Sequence, residues 1–152
     1  MRLLIITLIL SGFALNLFSQ HENKEKKEKQ NNITIGILQG GGSLVGADFE
    51  RLLSKRFGVQ VGLGFVGYGA GLNFHFKPTI RSSFISLQYW HQGIGDSFAQ
   101  SVIGPNFVFR GKKWFTCQIG FGFPLKKGPA FPEGMEQPAV MLLYSIGGYF
   151  PF

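Results

Sequence analysis

The sequence is poor in the residues that build several common classes of protein. Cys117 is its single cysteine, which excludes an intramolecular disulfide framework and any multi-cysteine zinc site. Charged residues make up only 15% of the chain, well below the usual quarter or so, and glycine shows no period of three, so collagen is excluded. With 45% apolar residues, the chain also lacks the low hydrophobicity and high charge of a disordered protein. From Asn32 onward no amphipathic helix of useful length can be drawn. What is abundant is glycine, 22 residues, and phenylalanine, 17 residues, in a chain of 152. That length suits one domain, and the composition points to β structure.

Residues 1–20 read MRLLIITLILSGFALNLFSQ. Arg2 precedes an apolar run over 3–10, apolar character continues to Phe18, and Ser19-Gln20 close the segment. This is the layout of a secretory signal peptide, with cleavage expected after Ser19 or Gln20. A membrane anchor is disfavoured, because the run falls short of the roughly 20 residues a spanning helix needs and Asn16 interrupts it. Residues 21–31, HENKEKKEKQN, contain no apolar side chain and are expected to form a charged, solvated periplasmic linker. Glu22, Glu25 and Glu28 nearly balance Lys24, Lys26, Lys27 and Lys29, so no nucleic-acid partner is expected.

The remainder breaks into eight short runs separated by Gly, Pro, Asn, Lys or Ser clusters: 32–40, 44–53, 57–66, 69–77, 82–92, 99–110, 114–124 and 139–152. Alternation of period two is clearest in the third and seventh. Phe57, Val59, Val61, Leu63 and Phe65 share one face, against Gly58, Gln60, Gly62 and Gly64. Phe115, Cys117, Ile119, Phe121 and Phe123 oppose Thr116, Gln118, Gly120 and Gly122. Roughly 15 residues per strand plus connection is the spacing of a small up-and-down barrel. The fold class expected is therefore all-β, an eight-stranded antiparallel up-and-down barrel over residues 32–152.

Alternation alone does not say which face points inward. A water-soluble barrel fills its interior with the large apolar face, whereas a transmembrane barrel turns that face to lipid. A solvated face normally carries many Lys and Glu; here the weaker face carries glycine with Gln, Asn, Ser and Thr. Glycine there would only weaken strands facing water, but it fits a crowded lumen. The membrane orientation follows as the expectation. Closure comes with it, because hydrocarbon offers no partner to a free strand edge, and eight strands leave an interior filled by side chains rather than a wide pore.

With the linker in the periplasm, connections after the even runs are short and periplasmic, and those after the odd runs face outward. Loops 93–98 and 125–138 are then the outer loops that would meet any surface partner. Lys55, Arg56, Lys77, Arg81, Arg110, Lys112 and Lys113 fall at the periplasmic ends and mark the limit of the apolar band. Pro105 falls on the outward face, where it would remove a ladder hydrogen bond; a bulge at Gly104-Pro105 would resolve this.

Inside the barrel, Asp48 and Glu50 need partners. Lys77 and Arg110 are the candidates, with Gln60, Asn73, His75, Gln88 and Gln118 completing an interior polar network. A structural salt-bridge plug is favoured over acid–base work or proton passage by paired carboxylates. The Gly-x-Gly pairs at 62–64 and 120–122 lie in strands with no helix following, so a phosphate loop is excluded. No catalytic residue, metal or cofactor is expected.

The final run, AVMLLYSIGGYFPF, alternates apolar residues back from Phe152 through Phe150, Gly148, Ile146, Tyr144, Leu142 and Val140. It resembles the C-terminal signal strand of bacterial outer-membrane barrels, Gly148 departing from the usual bulky residue. Taken with the N-terminal segment and the strand pattern, region 32–152 resembles a small eight-stranded outer-membrane β-barrel protein of a Gram-negative bacterium. That resemblance implies an integral outer-membrane protein with a structural or surface-interaction role. Its partners would be outer-membrane lipid and the assembly machinery that reads Tyr144, Ile146, Phe150 and Phe152. Two alternatives stand beside it. One is an outer-leaflet lipid-modifying enzyme similar to the lipid A deacylases, for which His91 and Ser97 are the candidates, although the His-x-Ser motif of that family is missing. The other is a soluble, secreted binding barrel of lipocalin type.

Overall fold

The computed structural model describes residues 28–152. The expected signal peptide at 1–20, and the linker as far as residue 27, lie outside the described residues. Eight strands follow in order: β1 Asn31–Ile37, β2 Val45–Leu52, β3 Phe57–Gly64, β4 Gly67–His75, β5 Phe84–Ile94, β6 Ser97–Arg110, β7 Phe115–Lys127 and β8 Met141–Pro151. Each pairs antiparallel with its chain neighbours, and β1 pairs with β8, so the sheet is a closed barrel. Asn31, placed in the linker on sequence grounds, opens β1: its carbonyl accepts from Phe152 N–H at 2.9 Å. Just before it, Lys29 Nζ donates to Pro151 O at 2.9 Å.

The alternation of each strand becomes an inside and an outside. Val61, Phe74 and Ile119, which would meet at the centre of an apolar-filled barrel, are 57%, 39% and 56% exposed. Asn32, Thr34, Asn73, Ser86, Asn106, Thr116 and Ser145 are buried instead. A minority of apolar side chains are buried, Leu52 and Phe98 among them. Trp90, Val102 and Leu143 pack together, joined by Met141, while Phe84, Val108 and Tyr149 lie among polar neighbours.

Two expectations about connections are corrected. Residues 93–98 are not a loop: β5 and β6 run on to a two-residue turn at Gly95-Asp96, with a register shift between Gln92 and Gly93. Pro105 also produces no bulge. Ile103 pairs with Phe123 and Asn106 with Gly120, so register is kept across it, and the β6–β7 shift falls at Ser101/Val102. The physical reason is that proline removes one donor and its fixed φ suits an extended strand, so the ladder skips a rung without slipping.

The β1–β2 connection, residues 38–44, folds back against the inner wall. Gly40, Gly41 and Gly42 have φ of 64°, 83° and 79°, a left-handed run that side chains disfavour. A Cβ on Gly40 would strike the backbone of Leu63, and one on Gly41 the backbone of Tyr68. From the other side, a Cβ on Gly69 would meet the Gly41 backbone at 3.3 Å, and one on Gly62 would come within 3.0 Å of Gly40 Cα. The glycines lining β3 and β4 thus make room for this inserted segment, besides narrowing the lumen.

Gly148 faces outward and is nevertheless covered. A Cβ there would meet the rings of Phe150 at 3.1 Å and Trp114 at 3.3 Å, and Tyr149 N–H donates to Trp114 O at 2.7 Å. The missing bulky residue of the last strand is replaced by an indole from the β6–β7 turn, the aromatic cover that strand glycines commonly receive.

Candidate functional site

Period-two alternation sends Glu50 of β2, Gln60 of β3, Asn73 and His75 of β4, and Arg110 of β6 to one level of the lumen. Glu50 is only 2% exposed, and both carboxylate oxygens are engaged. Oε1 takes Asn73 Nδ2 at 2.5 Å and His75 Nε2 at 2.9 Å; Oε2 takes Arg110 Nη2 at 2.5 Å. Asn73 Nδ2 also donates to Gln60 Oε1 at 2.9 Å, and its Oδ1 accepts from Ser86 Oγ at 2.5 Å. The Arg110 guanidinium lies over the rings of Phe84, at 4.8 Å, and Tyr149, at 5.0 Å. Arg110 Nη1 donates to the Ile80 carbonyl, and His75 stacks on Phe84 with centroids 4.7 Å apart.

A second polar layer adjoins the first. Gln88 and Gln118 exchange bonds at 3.1 and 3.0 Å, and Trp90 Nε1 donates to Gln88 Oε1 at 2.9 Å. A residual cavity of about 10 Å³ lies among Asp48, Glu50, Gln60, Arg110 and Gln118, room for one water at most. Both oxygens of Glu50 are thus committed to partners on two other strands, β4 and β6. Asp48 makes no hydrogen bond to the Glu50 cluster; its carboxylate fills the space over Gly62, next to Gly40 of the inserted connection.

Of the residues singled out from sequence, Glu50, Gln60, Asn73, His75, Gln88, Arg110 and Gln118 come together inside, and Asp48 lies beside the inserted segment. Lys77 does not join them. β4 ends at His75, Pro78 stops the strand, and Lys77 is exposed in the 76–83 connection, its N–H bonded to Ser82 Oγ at 2.9 Å. Lys77 therefore contributes no charge to the Glu50 cluster, and Arg110 alone of the two candidates meets the carboxylate. Phe84, Ser86 and Tyr149 are interior residues that sequence reading missed. Phe84 and Ser86 share the parity of Gln88, so their placement could have been read; the parity of Tyr149 opposite Phe150 gave the same signal. Tyr144, Ile146 and Phe150 are exposed along β8, and Phe152 follows the strand with its ring 6.4 Å from that of Phe49.

At the other end of the barrel, His91 lies between the rings of Tyr68 and Phe98, at 4.7 and 4.8 Å. Its partner is Ser101, not Ser97: His91 Nδ1 is 2.8 Å from Ser101 Oγ, and Tyr89 Oη donates to that oxygen at 3.2 Å. Ser97 is exposed and pairs with Ile94 across the hairpin. The His91–Ser101 pairing depends on strand register, which residue spacing along the chain does not reveal. Among the described residues no group of three or more His, Cys, Asp or Glu could hold a metal ion. No protein-family model, curated protein or solved structure matches the chain.

Proposed function

We propose that the chain is an integral outer-membrane β-barrel protein of a Gram-negative bacterium. In this reading segment 1–20 is removed on export and β8 is read by the outer-membrane assembly machinery. One observation carries it: an apolar exterior surrounds an interior that buries Glu50, Arg110, His75 and a set of amides and hydroxyls beside a few apolar side chains. Such an exterior is unfavourable in water and suited to acyl chains, while closure removes the free edges that hydrocarbon does not tolerate. The filled lumen supports a structural or surface-interaction role without a wide pore. It also speaks against a lipocalin-type barrel, whose ligand would need an open internal cavity. Membrane fractionation with heat-modifiable migration on a detergent gel tests the placement. The expected outcome is recovery with the outer membrane and a faster-migrating unheated form; a chain soluble without detergent and showing no such shift overturns it.

A second reading, an outer-leaflet lipid hydrolase, is favoured by the His91–Ser101 contact alone, a nucleophile and a base within hydrogen-bond reach. Its signature would be fatty-acid release from phospholipid vesicles that Ser101→Ala and His91→Ala abolish and Ser97→Ala leaves intact.

A further inference from the structure

The end of the barrel where β1 begins and β8 finishes holds every described lysine and arginine except Lys126 and Lys127, with Glu28 beside them, whereas Asp96, Glu133 and Glu136 belong to the opposite end. At the terminal mouth, the 76–83 connection and the β6–β7 turn bound a cavity of about 460 Å³, within the roughly 300–1,000 Å³ of small-molecule sites. Lys77, Arg81, Arg110 and Lys112 line it, and no carboxylate does. Arg110 is already paired with Glu50 behind the wall, but Lys77, Arg81 and Lys112 have no carboxylate in the lining, and like charges gathered around one cavity repel unless an anion joins them. The connection that carries two of them is a built element. Ile80 is buried beneath it, Lys77 N–H donates to Ser82 Oγ at 2.9 Å, and Phe76 N–H donates to Ser83 O at 3.1 Å.

Arg110 separates this pocket from a patch of surface lysines. It is 7% exposed and fixed between two aromatic rings, so ordering it on binding costs little. Its Nη1 and Nη2 each donate once, to the Ile80 carbonyl and to Glu50, which leaves further N–H donors on a guanidinium that carries five. Ser83 Oγ, also in the lining, accepts from Arg110 N–H at 3.1 Å and keeps its own proton for another acceptor.

We infer that this mouth pocket binds a phosphate-bearing anion: Lys77, Arg81 and Lys112 supply charge, and Arg110 and Ser83 supply directed donors. Several cations together with hydroxyl donors match the multiple oxygens of a phosphate better than a lone carboxylate. The phosphate has two possible sources. One is a lipid headgroup of the adjoining leaflet, reached past the exposed Phe76 ring on the cavity wall; the other is a small organic phosphate in the aqueous phase. The lipid source rests on the membrane reading above, and the soluble source does not.

The full chain, purified in a neutral detergent, is titrated calorimetrically with glycerol 3-phosphate at low salt. In parallel it is reconstituted in phosphatidylcholine vesicles with and without phosphatidylglycerol, and the lipid retained on re-extraction is counted by native mass spectrometry. Glycerol 3-phosphate binding identifies a soluble ligand, and selective retention of phosphatidylglycerol alone identifies a headgroup. In either case the triple variant K77Q/R81Q/K112Q weakens binding by about tenfold or more, while K55Q/R56Q, at the same end and outside the pocket, changes it by less than about twofold. Should the triple variant lose its heat-modifiable form, the exposed single variants R81Q and K112Q replace it, each expected to weaken binding about threefold. Uptake of neither probe by the wild type overturns the inference, as does equal weakening by the pocket and control variants. If the chain proves soluble without detergent, the membrane reading fails, and the titration in plain buffer still decides the pocket.

Discussion

Arg110 Nη2 on β6 lies 2.5 Å from Glu50 Oε2 on β2, a contact across the lumen between strands that do not pair with each other. It ties opposite walls together, and the rings of Phe84 and Tyr149 hold the cation in place. Because both groups are buried, their separate and joint removal should differ. Glu50→Gln or Arg110→Gln leaves one uncompensated charge inside and should cost about 3–5 kcal/mol, whereas the double variant should recover much of that loss. Urea unfolding of the protein in micelles measures it; additive losses would mean the pair is not coupled.

The inserted 38–44 segment predicts a contrast between glycines of similar backbone angle. Gly41 (φ 83°) and Gly134 (φ 78°) are both left-handed, but only Gly41 has backbone against its absent Cβ. Gly134→Ala should cost about 1 kcal/mol through strain, and Gly41→Ala about 3 kcal/mol or more, because the segment must also leave the wall. Unfolding midpoints rank the two, and proteolytic cleavage within 38–44 should appear only in Gly41→Ala.

The exterior offers a direct test of its solvent. Ile119 faces outward in the middle of β7. Against hydrocarbon, Ile119→Lys should cost about 2–4 kcal/mol; against water the same change would fall within about 0.5 kcal/mol. Equilibrium folding into phosphatidylcholine vesicles distinguishes these outcomes.

The cover over Gly148 gives a further expectation. Trp114→Ala should uncover that stretch of β8 and lower stability by about 0.5–1.5 kcal/mol beyond the loss of buried area. A conservative Trp114→Phe should restore most of it. If Trp114→Ala unfolds at the wild-type urea midpoint, the indole is not a cover.

Strand number, order and facing could be read along the chain, because a strand alternates its side chains strictly and turn residues punctuate it. Val61, Phe74 and Ile119 on one parity, and Gln60, Asn73 and Gln118 on the other, carry that information locally. Most of the interior network was legible for the same reason: parity places Glu50, His75 and Arg110 on the inner side. Parity fails where a strand stops, and so it misplaced Lys77, two residues beyond the end of β4.

Partnership across strands is another matter, since it depends on register, bulges and the path of connections, all of which closure of the sheet sets. That Glu50 meets Arg110, that His91 meets Ser101 rather than Ser97, and that Trp114 shelters Gly148 are facts of three-dimensional assembly. So are the burial of 38–44 within the lumen and the gathering of Lys77, Arg81 and Lys112 around one cavity. Alternation is a property of the backbone and is written in every strand; contact between distant residues arises only when eight strands close on one another.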